Sequence, residues 1–394
     1  MLTFLKRLAA TVTTPATGKV TLFVESETGK PSYKDDTGTV TSMVGATGQG
    51  VPTGGTAGQV LEKIDGTDFN TRWATPSGGG GLTNFTEGVS VSSPNATVPV
   101  VSLTATNAAT NVDVALKPKG SGGISAHIAD GASAGGNKRG ARAVDLQLSR
   151  SIAAQVASGA DTFIVGALNT ASASNAIACG TQNAATAQYA VAIGSSNTAS
   201  GSNATALGSS NTVSGPSASA LGTSNNVSGD NSVALGTYAS DRGIKYALVF
   251  AAGSFASTGD AQSMQMVARR STTNATATDL TSNGAEAGST NQLVLPNASA
   301  YLVKANVIAR ENATGDSKSW EVTAHVVRGA NAAATALVGT PTVTTLFNAA
   351  GAAAWAVAVT ADTTNGAIKF TVTGEAAKSI KWVTDIYSCV QVSG

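Results

Sequence analysis

The sequence predicts an elongated all-β protein with a parallel β-roll at its centre and an antiparallel β-sandwich at its C-terminal end. Three observations predict this fold class. A glycine returns every fourteenth residue from Gly166 to Gly236. Small and large apolar residues alternate around each of these glycines, as they do in β-strands. After residue 243 the period stops, and about eight short alternating segments follow with almost no helical pattern.

Each fourteen-residue repeat is predicted to form one coil with two short strands and two tight turns. A fixed short period with strand-type alternation is typical of a solenoid, in which each coil covers its neighbour. Glycine and asparagine accept positive φ at little cost, so we expect both at the turns, and stacked asparagines can also bond to one another. The recurring residues are Gly166, Gly180, Gly194, Gly208, Gly222, Gly236, Asn183, Asn197, Asn211 and Asn225.

A coil of fourteen residues is thin. One face of its longer strand carries alanine, as at Ala192, and the other carries Val, Ile or Leu, as at Ile193. A single chain would leave that second apolar stripe in water, which soluble monomers avoid. The sequence therefore predicts that several copies wrap around a common axis.

Two stretches of the repeat carry a family resemblance. Residues 190–194 (Ala-Val-Ala-Ile-Gly) and 231–236 (Asn-Ser-Val-Ala-Leu-Gly) resemble the head repeats of trimeric autotransporter adhesins, and the same repeats occur in bacteriophage fibres. This resemblance implies a left-handed parallel β-roll within a homotrimer.

The segments before the roll resemble other parts of phage fibres. Residues 18–43 are predicted to form a small β unit that docks onto a partner. Residues 58–61 (Gly-Gln-Val-Leu) with Trp73 resemble a strand paired with a later tryptophan, and residues 116–122 resemble a shaft motif. The four glycines at 78–81 are predicted to be a hinge, and the basic cluster at 138–142 a loop before the roll.

These readings divide the chain into five parts. The C-terminal part, whose Asn365-Gly366 pair is typical of a hairpin turn, resembles C-terminal domains of phage tail fibres and is predicted to be a jelly-roll-like sandwich. The predicted parts are an N-terminal virion-attachment segment (1–45), a glycine-rich linker with a strand-Trp motif (46–81), a β-rich shaft (82–142), the roll (143–243) and a receptor-binding tip (244–394).

Composition narrows the classes of function. Charged residues make up 12% of the chain and the net charge is +1, which gives no electrostatic footprint for nucleic acid or a charged bilayer. No apolar run reaches the eighteen residues that a membrane span needs. Residues 1–7 lack the order of a signal peptide, so we expect assembly in the cytoplasm of an infected cell. Cys179 and Cys389 are predicted to pack as apolar thiols, without a disulfide framework.

No stretch carries a motif for catalysis, a metal or a cofactor. His127 has no ligand-type neighbour, and His325 is predicted to be a structural residue of a strand. The sequence therefore predicts no catalytic, metal or cofactor-binding residue and no enzyme, although carboxylates that are distant in sequence can still meet in space, as glycoside hydrolysis requires. The acids of the predicted tip are Asp260, Asp279, Glu286, Glu311, Asp316, Glu321, Asp362, Glu375 and Asp385.

The expected function is that of a homotrimeric virion fibre, and specifically a tail fibre. Its N-terminal segment would join a tail or capsid protein, and its tip would bind a host surface polysaccharide or protein through residues within 244–394 that the sequence does not identify. Three alternatives remain open: a capsid-attached head fibre or decoration protein, a fibre with polysaccharide depolymerase activity, and a cellular trimeric adhesin.

Overall fold

The computed structural model describes residues 6–43, 54–65, 71–74, 85–90, 100–105, 111 and 115–392. The chain divides into two compact units, residues 1–115 and 116–394, which are described separately below. The predicted hinge at 78–81 lies outside the described residues, as do residues 46–53, 66–70 and 75–77 of the predicted linker and residues 82–84, 91–99, 106–110 and 112–114 of the predicted shaft.

The first unit contains short antiparallel pairings. Strands β1 to β4 form one sheet in sequence order, in which β1 and β2 are parallel and Phe23 on β2 is buried. Strands β5 and β6 form a hairpin in which Leu61 lies opposite Trp73, and β7 pairs with β8. The strands are β1 (Lys6–Arg7), β2 (Thr21–Glu25), β3 (Pro31–Lys34), β4 (Val40–Ser42), β5 (Val60–Lys63), β6 (Thr71–Ala74), β7 (Phe85–Ser90) and β8 (Val100–Ala105), and a 3-10 helix spans Ala9–Thr11.

The second unit begins with a parallel β-solenoid, which confirms the predicted fold class. Between β11 (Phe163–Ala167) and β21 (Val233–Thr237), each residue of a long strand pairs with the residue fourteen positions later, so Ala178 lies beside Ala192 and Gly180 beside Gly194. The long strands are β9 (Ile124–Ser125), β10 (Val144–Ser149), β11 (Phe163–Ala167), β13 (Ile177–Thr181), β15 (Val191–Ser195), β17 (Thr205–Ser209), β19 (Ser219–Thr223) and β21 (Val233–Thr237). The short strands form a second parallel sheet: β12 (Thr170–Ala171), β14 (Ala184–Ala185), β16 (Thr198–Ala199), β18 (Thr212–Val213) and β20 (Asn226–Val227).

Charged side chains close the first end of the roll. Arg139 and Arg150 both contact the buried carboxylate of Asp145 on β10, at 2.8 and 3.2 Å. Arg142 pairs with Asp161 at 2.6 Å. The basic cluster predicted as a loop before the roll therefore packs onto the first coils and neutralises their acids. Atypical end coils of this kind cover the open edge of a solenoid.

The C-terminal part consists of two antiparallel sheets that share one core, as predicted. Trp320 and Trp382 of the larger sheet stack with ring centroids 5.6 Å apart, and Trp355 packs against Trp382. The strands are β22 (Ala247–Ala252), β23 (Ala261–Thr272), β24 (Thr278–Asp279), β25 (Leu293–Val294), β26 (Ser299–Glu311), β27 (Ser317–Arg328), β28 (Thr335–Leu337), β29 (Thr342–Asn348), β30 (Ala356–Asp362), β31 (Ala367–Thr373) and β32 (Ile380–Val392). Two 3-10 helices span Ala332–Ala334 and Ala350–Ala352.

The sheet of the roll continues into the C-terminal part without a break. Strand β22 pairs in parallel with β21, the last coil strand, and antiparallel with β23. The result is one 15-stranded sheet that also includes β32, β26 and β27. Its outer face therefore runs from the first coil to the tip.

The helical content is small throughout the described ranges. Only 3-10 turns occur there, and none of them is long or apolar enough to be a candidate membrane span.

Candidate functional site

A column of apolar side chains, half-buried or exposed, runs along the outer face of the long strands of the roll. The residue directly before each repeat glycine points outward, and Leu221 keeps 55% of its surface exposed although it is the largest apolar side chain of its coil strand. Ala220, its neighbour, is only 1% exposed. Phe250 on β22 pairs with Leu235 and continues this set, and we call the whole the outer column: Val165, Cys179, Ile193, Leu207, Leu221, Leu235 and Phe250.

The inner face of the roll has little apolar surface to bury. Its side chains are alanines such as Ala192 and Ala206, with Val213 and Val227 on the short strands. An alanine removes far less apolar area from water than a leucine, so the hydrophobic stabilisation of a lone coil is small. The larger apolar side chains lie on the outside, where a second copy could cover them.

A ladder of asparagine amides runs through the interior of the roll. The Oδ1 of Asn183 accepts hydrogen bonds from the backbone N–H and the Nδ2 of Asn197, at 3.1 and 3.0 Å. The Nδ2 of Asn197 also donates to the carbonyl oxygens of Ile193 and Gly208. The same pattern links Asn169, Asn183, Asn197, Asn211 and Asn225. Each amide thus satisfies backbone groups of two coils that water cannot reach.

Glutamines close both ends of the parallel stack, and they do not recur with the fourteen-residue period. The Oε1 of Gln147 accepts from the backbone N–H of Asn169 at 2.9 Å. Beyond the last asparagine, Gln262 bonds to both backbone groups of Ser240, at 2.8 and 2.7 Å. Gln147 lies on β10 and Gln262 on β23, two strands that do not follow the fourteen-residue repeat.

Replacement of Asn197 by alanine should destabilise the roll by about 3 kcal/mol, because the backbone N–H of Asn211 and two carbonyl oxygens would lose a partner in the interior. Thermal unfolding followed by circular dichroism measures this effect. The matched control is Asn226→Ala, since Asn226 is exposed on a short strand and its side chain makes no hydrogen bond in the described structure. Equal melting temperatures for the two variants would contradict the role of the ladder.

The prediction that asparagine occupies positive-φ turn positions holds for Asn175, Asn203 and Asn231, with φ of 61°, 57° and 57°, but not for the repeat asparagines. Positive φ occurs at the residue before each buried asparagine, such as Gln182 and Ser196, with φ of 58° and 57°. The repeat asparagines are buried instead, because their amides are needed inside. The repeat glycines do have positive φ, and a Cβ at Gly194 would lie 1.9 Å from the carbonyl oxygen of Gly208.

Both cysteine predictions also need correction. Cys389 is exposed, because it lies on the outer face of β32, opposite Ser263. Cys179 is only half-buried as a member of the outer column, and burial raises the pKa of its thiol. Both thiols are free.

Most of the tip carboxylates form hydrogen bonds within turns or ion pairs, whereas Glu321 is exposed on β27. The hydroxyl of Thr314 lies 2.9 Å from Glu311 and 2.8 Å from Asp316, which brings these two carboxylates close together. Hydrogen bonds from backbone N–H groups lower the pKa of Glu311, and the largest effect comes from the N–H of Thr314. The hydrogen bond from Lys378 lowers the pKa of Glu375. A general acid for glycoside hydrolysis needs a raised pKa, so neither residue is prepared for that role.

In the described part of the chain, no group of three or more His, Cys, Asp or Glu side chains is placed to hold a metal ion. His325 is exposed on the outer face of β27, opposite Leu302. His127 is half-buried near the start of the roll.

Comparison with known proteins supports the roll. A family model described as grass antifreeze beta roll matches residues 146–236, which are the coils described above. No curated protein matches the chain.

Three solved structures of phage tailspike proteins are similar to parts of the chain. The Acinetobacter phage vB_ApiP_P1 tailspike is 12% identical over 59% of this chain and 51% of its own, with a TM-score of 0.20. Tailspike gp49 of Acinetobacter baumannii bacteriophage Fri1, described as a capsular polysaccharide depolymerase, is 10% identical over 63% and 48%, with a TM-score of 0.19. The Acinetobacter baumannii phage AM24 tailspike is 10% identical over 64% and 52%, with a TM-score of 0.19. The chain spans about half the length of these structures, and likenesses at this level establish neither a shared fold nor a shared function.

Proposed function

We propose that this protein is the stiff part and the binding end of a homotrimeric external virion fibre, specifically a tail fibre. Residues 1–45 attach the chain to the particle, and residues 244–394 bind the surface of the host cell. The fibre joins the virion in the host cytoplasm and needs no cofactor.

The observation that carries this proposal is the outer column. A thin roll with an alanine interior exposes Ile193, Leu221 and Phe250, so three parallel copies that share this face would gain the core that one copy lacks. The repeats resemble those of trimeric adhesins and phage fibres. This resemblance supports a trimer and a left-handed roll.

The unbroken sheet supports the division of labour along the fibre. Because β21, β22 and β23 belong to one sheet, force on the tip passes through a continuous hydrogen-bond ladder into the roll. Three tips at one end of a trimer would also bind together, so weak contacts with a repetitive cell surface add up through multivalency.

The proposal is tested on virus particles that carry this chain. Gold-labelled antibody against residues 1–45 should mark the tail, and antibody against residues 244–394 should block adsorption to host cells. Labelling of the capsid would instead support the head-fibre alternative. Undiminished adsorption with the tip covered would contradict the assignment of host binding to the tip.

The alternative of depolymerase activity is tested directly, because two carboxylates of the tip, Glu311 and Asp316, lie close together. Purified full-length protein should release no new reducing ends from the capsular polysaccharide of cells that it binds. Release that is lost in a Glu311→Gln variant of unchanged stability would show that the fibre is an enzyme.

A further inference from the structure

The outer face of the tip carries a row of cations at the far end of its long strands. Lys381 on β32 lies directly opposite Arg310 on β26, and both side chains are exposed. Arg269 on β23 lies opposite Val383, the next outward residue after Lys381. Like charges that face each other across neighbouring strands destabilise a sheet.

No acid offsets this row. Among the described residues, Arg269, Arg310 and Lys381 have no carboxylate within ion-pair distance. Arg270, beside them, donates to the carbonyl oxygen of Gly284 at 2.8 Å and pairs with Glu286, whose side chain is 92% exposed. The net charge of the whole chain is only +1, yet like charges are concentrated at this one spot of the sheet. Such local repulsion is typical of a site that binds an anion.

Arg269 and Lys381 border a groove with two compartments, and Arg310 lies directly opposite Lys381. The first is a cavity of 560 Å³ lined by Arg269, Arg270, Lys381 and Val383, among others. The second has a volume of 370 Å³, and Ile308, Leu346, Val383 and Asp385 contribute to its walls. Val383 belongs to both, so the basic compartment adjoins an apolar one whose exposed side chains include Ile308, at 55%, and Leu346, at 47%.

This groove lies to the side of the outer column. Ser263 on β23 continues the column from Phe250, and Arg269 is six residues further along the same strand. At about 3.3 Å per residue, that separation is about 20 Å. Copies that meet along the column would therefore leave the groove open to solvent.

We propose that the groove binds an anionic sugar unit of a surface glycan. The carboxylate or phosphate of the sugar lies between Arg269, Lys381 and Arg310, and the apolar faces of adjoining rings rest on Val383, Ile308 and Leu346. Arginine forks match such oxyanions in geometry and charge. Asp385 at the far compartment repels a polymer charged at every unit, which favours a glycan with spaced charges over a nucleic acid. The inference rests on the proposed role of the tip in binding host glycans.

Calorimetry with the full-length protein tests this site. A hyaluronan tetrasaccharide, in which only every second sugar carries a carboxylate, should bind, its methyl-esterified form should not, and rising salt should weaken binding because the contact is ionic. A phosphorylated oligosaccharide that binds in place of the uronic acid would identify phosphate as the anion and still support the site. Inorganic phosphate that binds as tightly as every sugar probe would show an anion site without glycan recognition and would overturn the proposal.

Two variants link binding to the groove. Lys381→Gln and Arg310→Gln should each lower the affinity about tenfold, as expected for the loss of one charge-assisted hydrogen bond. Neither should lower the melting temperature, because each removes a like-charge repulsion. The matched control is Lys304→Gln, which removes an equal charge from the same strand as Arg310 but opposite Tyr387.

The control also separates this inference from the proposed function. An equal loss of affinity in Lys304→Gln would show general attraction by charge and overturn the groove as the site. Protein that binds host cells but none of the anionic probes would refute the groove while leaving the fibre function standing. Protein that binds no cells of any host would refute the fibre function itself.

Discussion

Replacement of Gly194 by alanine is expected to destabilise the roll by about 4 kcal/mol or more, which places it among the most damaging single substitutions. A Cβ at this position would lie 1.9 Å from the carbonyl oxygen of Gly208 in the next coil, and the backbone has φ of +120°, where side chains are strained. The clash involves two backbones, so no side-chain rotation relieves it. Unfolding followed by circular dichroism should show a large loss of melting temperature.

Gly253→Ala is the matched control for this substitution. Gly253 follows β22, and a Cβ there would meet no atom within 4 Å. Its replacement should change the free energy of unfolding by less than about 0.5 kcal/mol. A Gly194→Ala variant that melts together with this control would contradict the steric explanation of the repeat.

The period of the roll could be predicted because each coil contacts mainly its neighbours. A position that must be glycine in one coil, such as Gly194, meets the same constraint in the next, so the requirement is visible as a repeat. The alternation of Ala192 and Ile193 likewise follows from the two faces of a strand. The role of the repeat asparagines is harder to infer from the sequence, because both a turn position and an interior hydrogen-bond ladder favour asparagine.

Features without a period could not be read from the sequence. Gln147 and Gln262 bond to residues 22 positions away, and only the stacking of the coils brings these groups together. The pairing of Lys381 with Arg310 depends on the register between two strands that are 70 residues apart, which composition does not specify.

The C-terminal strands illustrate the same limit. The eight segments with clear alternation all contain strands, among them β26 and β27. Strands β24 and β28 were missed because they have only two and three residues, too few to show a period. Strand β29 was missed as well, and its ladder with β27 includes a register shift.

Leu221→Glu is expected to convert a trimer into single chains, and we expect this to be the largest effect on assembly. Leu221 lies within the outer column and is 55% exposed in the single chain, so a shared interface would bury it. Three copies of the variant would place three carboxylates together in an apolar contact, where desolvation and like-charge repulsion both oppose association. Light scattering coupled to size exclusion should give three chain masses for the parent protein and one for the variant.

Asn226→Glu provides the matched control, because it introduces the same charge into the same coil on the other parallel sheet. That variant should keep the mass of the parent, since the short strands expose polar side chains such as Thr212 and Asn226 and are not part of the shared apolar face. A parent protein with the mass of one chain would refute the shared axis directly. A Leu221→Glu variant that remains a trimer would show that the copies meet on another face, and the outer column would then need a different partner.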